Sequence, residues 1–175
     1  MQKVTRFLMF FSMAFVMLSF SDGKKEKVNW ISIAELNELY AKNPKPILLD
    51  VYTDWCGWCK EMDRTTYKNE KLANYINEHY YAVKFNAESK ESFTFNQKQY
   101  AFNAQNKSNE LAEYFLFGRM EFPTTVFLSA IDARPAPLSG YMTAKEMEAP
   151  LKFFGEGHDK TKTFVEFNKK LKKEW

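Results

Sequence analysis

The sequence predicts one α/β domain, with helices packed on a central sheet. Three observations carry that expectation. Short apolar or β-branched runs alternate along the chain with stretches of helical periodicity. A length of 175 residues suits one domain and is short for two. The composition is 45% hydrophobic and 27% charged with 6 Gly and 6 Pro, which excludes collagen-like and linker-dominated chains.

The first 21 residues stand apart from that domain. Lys3 and Arg6 form a basic head, and the run from Phe7 to Phe20 contains no charge. At 14 residues the run fits the apolar core of a secretory signal and falls short of a membrane span. Ser19 and Ser21 supply small residues for a cut after Ser21. Residues 1–21 are therefore read as a signal peptide, with an uncleaved anchor or a buried helix as the competing readings. Residues 22–29, with Lys24, Lys25 and Lys27, form a solvated leader.

The elements of the domain follow in order. Ser32 and Glu35 have capping-box spacing and open a helix along Ile33, Leu36 and Leu39 that ends before Asn43-Pro44. Ile47 to Tyr52 is an apolar run behind a proline, the pattern of a buried central strand. Helical stretches run to about Tyr67 and from Glu70 to His79, and Tyr80 to Phe85 is a strand. Within an insertion of about residues 87–108, aromatics alternate from Phe93 to Phe102 around Asn96-Gln97. That pattern predicts a β-hairpin pairing Phe93 and Phe95 with Tyr100 and Phe102, one face packed and the other free for a partner. Asn109 to Phe117 is helical, Thr124 to Leu128 is a strand, and Pro137 to Ser139 is a short edge strand before Gly140. Thr143 with Glu146 opens a helix through Phe154 that stops at Gly155. Residues 156–175 are expected as a basic C-terminal helix, started by Thr163 and Glu166.

Charge and cysteine count narrow the chemistry. A net charge of +3 is too weak to suggest nucleic acid as a partner. Two cysteines exclude a multi-bridge scaffold and a four-cysteine zinc site. The pair is Trp55-Cys56-Gly57-Trp58-Cys59-Lys60, set directly after the apolar strand at the start of a helix. Thiols three apart at a helix N-terminus can close into a small ring and reopen. The helix dipole and free N–H groups favour a thiolate on Cys56, and Cys59, one turn deeper, can attack a mixed disulfide. Three blander readings compete: a metal site, for which only the distant His79 and His158 are available, a static bridge, and a redox relic on a binding module. Asp50, an acid inside the apolar strand, is costly without a task and is read as proton acceptor for Cys59.

These residues carry a family resemblance. Ile47 to Lys60 resembles the active-site strand and turn of the thioredoxin superfamily, with Asp50 six positions before the first cysteine and Trp55 directly before it. Lys84 matches the family's lysine beside the buried acid, and Phe122-Pro123-Thr124 is similar to its cis-proline loop facing the cysteines. The resemblance covers about Trp30 to Phe154, so a thioredoxin-like domain of residues 30–155, with a mixed sheet, is implied. The Cys-Gly-Trp-Cys-Lys motif is similar to that of exported bacterial thioredoxin-like proteins and of the C-terminal domain of the periplasmic disulfide-reductase hub. Trp58 departs from the family by standing where thioredoxin has proline.

The resemblance implies a thiol–disulfide oxidoreductase without cofactor or metal, exported to the periplasm of a Gram-negative bacterium. Its partners would be thiols and disulfides of envelope proteins and a second redox protein. Catalysis falls to Cys56, Cys59, Asp50 and Lys84, and client binding to Trp55, Trp58, Phe122 and Pro123. Reductase, oxidase and isomerase directions all stay open. The alternative is a binding or scaffold module that keeps the fold, its redox activity incidental.

Overall fold

The computed structural model describes residues 27–175. The expected signal peptide and most of the leader lie outside the described residues.

Sixteen described elements follow one another: β1 (Trp30–Ile31), α1 (Ile33–Lys42), β2 (Ile47–Tyr52), α2 (Gly57–Thr65), α3 (Glu70–His79), β3 (Tyr81–Asn86), β4 (Phe93–Phe95), β5 (Lys98–Tyr100), β6 (Phe102–Asn103), β7 (Ser108–Asn109), α4 (Glu110–Leu116), β8 (Thr124–Leu128), β9 (Ala136–Ser139), α5 (Ala144–Gly155), a 3₁₀ turn (His158–Lys160) and α6 (Phe164–Lys170). The main sheet has the order β1-β3-β2-β8-β9. β1, β3 and β2 run parallel, while β8 and β9 are antiparallel to their neighbours, so the sheet is mixed.

Period-two alternation sends the side chains of each strand to opposite layers. Ile47, Leu49 and Val51 face α1, α4 and the insertion, whereas Leu48 faces Met62, Leu72, Ile76 and Met147 of α2, α3 and α5. With apolar residues on both faces, β2 is completely buried up to its last residue, which is why it reads as a continuous apolar run.

Local chemistry fixes the helix starts. Ser32, Thr143 and Thr163 all close reciprocal capping boxes with Glu35, Glu146 and Glu166. Tertiary contacts shift one strand start by a residue and add a strand that the sequence does not announce. Tyr80 is the C-cap of α3, its N–H on Ile76 and its hydroxyl donating to Leu151, so β3 starts one residue later. The two-residue strand β1 was not foreseen, because its ladder partner, Ala82–Val83, lies some fifty residues away.

The insertion folds as the expected hairpin and pairs Phe93 with Tyr100, but Phe95 and Phe102 find other partners. Asn96 and Gln97 both take positive φ, 46° and 62°, as a two-residue primed turn requires. That turn sets Phe93 opposite Tyr100 and Phe95 opposite Lys98, while Phe102 leaves the hairpin to pair with Asn109. Phe95 and Tyr100 go inward, with Phe95 edge-on to Phe115 at 5.0 Å. The outward face carries Thr94 and Gln99, and Lys98, on the inward face, is exposed at the rim beside the Tyr100 ring, so the exposed positions of the two hairpin strands are polar.

The C-terminal segment is helical only over its middle. After α6 the chain turns back onto α5, where buried Glu148 accepts the backbone N–H groups of Glu174 and Trp175 and the Lys152 ammonium. Three donors on one carboxylate hold its pKa below the ordinary value in spite of burial.

Candidate active site

Cys56 and Cys59 meet where β2 gives way to α2. Cys56 is the N-cap of α2 in extended conformation, and the Cys59 N–H donates to Cys56 Sγ at 3.0 Å. A sulfur therefore takes the place that a Ser or Asp oxygen has in an ordinary cap. The two sulfurs are joined in a disulfide. Sequence reasoning expects Cys56 to be the exposed member, but both are buried, at 4% and 2% exposure. The indoles beside them carry the exposed surface instead: Trp55 is 67% exposed and Trp58 64%.

Those indoles have defined neighbours. Trp55 stands edge-on to Phe122 at 5.8 Å and donates its ring N–H to Glu88 at 2.9 Å, and Trp58 tilts against Tyr141 at 5.5 Å. The Phe122–Pro123 peptide bond is cis, and the Gly140 N–H donates to the Pro123 carbonyl at 2.7 Å.

Asp50 lies two residues before the strand's last residue and is 1% exposed. In the sheet register it sits between Lys84 of β3 and Thr125 of β8. Lys84 Nζ donates to Asp50 Oδ2 at 2.9 Å and also to Asp63 of α2. Around the same ammonium stand Tyr52, Trp30 and Tyr67, with ring centroids at 5.1, 5.4 and 6.0 Å. Asp50 Oδ1 has no hydrogen-bond partner among the described residues.

Burial is the largest influence on this carboxyl, and it raises the pKa to about 6 from the ordinary 3.8. Lys84 pulls it down by charge and hydrogen bond, while Asp63 adds a smaller upward push. Lys84 responds in the opposite sense. Burial lowers its pKa, but the two carboxylates outweigh that and the net shift is upward.

The sequence places Asp50, Lys84 and the cysteines in one neighbourhood but misses Asp63 and Tyr67. Asp63 was findable: it follows Cys59 by four and Cys56 by seven, so all three share a face of α2. Tyr67 lies beyond the helix end, and only the packing of the α2–α3 turn brings its hydroxyl to 3.3 Å from Thr125 beside Asp50. A cleft of about 270 Å³ between Val28, Trp30, Asp63, Tyr67 and Lys84 opens the charged cluster to solvent. Among the described residues, no group of His, Cys, Asp and Glu could hold a metal ion.

Comparison with known proteins agrees with this geometry. The family model described as a thioredoxin-like domain matches residues 34–155. The thiol:disulfide interchange protein DsbD of Pectobacterium atrosepticum is 28% identical over 126 residues, covering 70% of this chain and 19% of that protein. DsbD of Yersinia pestis is 37% identical over 49 residues, 26% of this chain and 8% of the relative. The chain thus spans about a fifth or less of the curated relatives it matches. Among solved structures, a thioredoxin-fold protein from Helicobacter pylori superposes with a TM-score of 0.55 at 25% identity, covering 73% of this chain and 80% of that one. The DsbH oxidoreductase gives 0.52 at 18% identity, over 74% and 85% of the two chains, a likeness of fold.

Proposed function

The chain belongs to the thioredoxin-like domain family, and from that premise we propose that it is an exported thiol–disulfide oxidoreductase which reduces or exchanges disulfides of envelope proteins. The observation that carries this reading is a Cys-x-x-Cys disulfide at a helix N-terminus, directly after the strand that buries Asp50 with an elevated pKa. Kinship with DsbD, named a thiol:disulfide interchange protein, supports the same chemistry. The uncharged run Phe7 to Phe20 behind Lys3 and Arg6 supports export.

In the reduced protein, Cys56 is the nucleophile. Its sulfur sits at the positive end of the α2 dipole and accepts the Cys59 N–H, both of which stabilise a thiolate. The Cys56 thiolate attacks one sulfur of a client disulfide, forming a mixed disulfide and releasing the other client sulfur as a thiolate, which takes a proton from solvent. Cys59 then gives its proton to Asp50, and its thiolate attacks Cys56 Sγ. The Cys56–Cys59 bond forms, the mixed disulfide breaks, and the second client sulfur leaves as a thiolate and is protonated in turn. The client disulfide is reduced to two thiols and the protein dithiol is oxidised. Asp50 suits the proton transfer, since Oδ2 is held by Lys84 and Oδ1 is unpaired. Trp55, Trp58, Phe122 and Pro123 form the surface against which a client would lie.

The roles are asymmetric and can be tested as such. Cys59→Ser should accumulate covalent mixed disulfides with envelope proteins that dithiothreitol releases, and Cys56→Ser should accumulate none. Trapping through Cys59 alone would reverse the two roles. Failure of the native protein to reduce insulin any faster than Cys56→Ser would leave the chain as a binding module.

A further inference from the structure

Beside the Phe122–Pro123 loop lies a pocket of about 320 Å³ lined by Leu116, Phe117, Arg119, Arg134, Pro137 and Ser139. Its charge is unlike that of the rest of the chain. Of 25 basic residues only Arg6, Arg64, Arg119 and Arg134 are arginines. Among the described residues Arg64 is paired with Glu61 at 2.7 Å, and the other two line this pocket. Neither Arg119 nor Arg134 belongs to an ion pair in the described structure, although Glu121 and Asp132 lie two residues from them in sequence. Two exposed guanidinium groups lining one pocket repel each other, so they favour an anion between them. Planar donor forks match a carboxylate.

The aromatic residue of the pocket is held at a cost. Phe117 caps the C-terminus of α4 in the left-handed region, φ 53° and ψ 37°, where a bulky side chain is strained. Gly118 behind it also has a positive φ, 74°, so the chain leaves the helix through two successive left-handed residues, of which only the glycine is unstrained. The ring is 51% exposed, and the Arg134 guanidinium lies 5.2 Å from its centroid. The pocket thus presents an exposed apolar ring beside two guanidinium groups that no carboxylate of the described residues pairs.

The pocket stands at the active-site end of the sheet. Ser139 pairs with Thr124, and Thr124 pairs with Val51 on the strand that leads to Cys56. Two strand spacings, about 10 Å, separate Ser139 from that strand. Cys56 follows Val51 by five residues at the same end of the sheet, so an extended client, at about 3.3 Å per residue, bridges the pocket and the reacting sulfur with a few residues.

We propose that this pocket selects clients carrying an Asp or Glu within a few residues of their reactive cysteine. Arg119 and Arg134 take the carboxylate, and Phe117 packs on the apolar stem beside it. The inference rests on the redox reading above and names the client chemistry of that site.

The test uses the reduced full chain and disulfide-linked peptides that differ only in having Glu, Gln or Lys at one position, placed in turn about two to six residues from the cysteine. At one or more of these positions the Glu peptide should be reduced about tenfold faster than the Gln peptide at low substrate, through KM, with the Lys peptide slowest. The double variant Arg119→Gln, Arg134→Gln should bring Glu and Gln peptides within about twofold of each other, with the Gln rate unchanged. Raising salt from about 50 to about 500 mM should shrink the preference in the native protein. Equal rates for Glu and Gln peptides at every position, or a preference that survives in the double variant, would overturn the inference. Reduction of no peptide would overturn the redox reading instead. The pocket is then judged by calorimetric titration of a cysteine-free Glu peptide, where binding weakened about tenfold in the double variant upholds it and absence of binding overturns it.

Discussion

Asp50→Asn should make the protein more stable at neutral pH and slower as an enzyme. The folded-state pKa of Asp50 is about 6, against 3.8 for an ordinary aspartate. At about 1.36 kcal/mol per pH unit, that difference corresponds to a penalty of about 3 kcal/mol for holding the charged form in the fold. The sign follows from proton binding. Between pH 3.8 and about 6 the folded chain binds the proton more tightly than the unfolded chain, so stability falls as pH rises through that window. Above it the full penalty is present, and below it there is none. An asparagine of nearly the same volume never ionises. Urea unfolding of the disulfide form should therefore find Asp50→Asn more stable than the native chain by about 3 kcal/mol at pH 8, and equal to it within about 0.5 kcal/mol near pH 4. Resolution of a mixed disulfide, followed at pH 7 by release of a labelled peptide, should be slower in the variant, because the proton acceptor is gone. A stability difference that is the same at pH 4 and pH 8 would refute the linkage argument. An unchanged resolution rate would refute the proton-acceptor role.

Lys84→Met removes the charge that holds the Asp50 pKa down, so the carboxyl should titrate higher still and the pH at which exchange accelerates should move to the alkaline side. The same variant should cost about 3 kcal/mol at pH 8, where the buried carboxylate loses its partner, and less at pH 5, as urea unfolding at the two pH values would record. Phe95→Ala should cost about 3–5 kcal/mol in urea unfolding, because Phe95 is fully buried from an insertion that would otherwise read as a surface loop. A cost below about 1 kcal/mol would show that the hairpin is an appendage rather than part of the core.

Helix starts were legible because capping is local. Ser32, Thr143 and Thr163 each announce themselves by a glutamate three residues on, and all three boxes form. The strand bearing Asp50 was legible because burial on both faces leaves a continuous apolar run that a single acid interrupts. The hairpin was half legible. Alternating aromatics identify the ribbon, but register is set by turn length, and a two-residue turn puts Phe95 opposite Lys98 instead of a second aromatic.

What the sequence determined by itself, then, is what neighbours along the chain can decide: helix caps, strand alternation, and two thiols one helical turn apart. Tertiary structure decided who meets whom across the sheet. Asp50 lies 34 residues from Lys84, and Arg119 lies 15 from Arg134. Only the strand order and the angle of helix packing fix those encounters. The elevated pKa of Asp50 belongs to the same class, because desolvation is a property of everything packed around a group and not of its position in the chain.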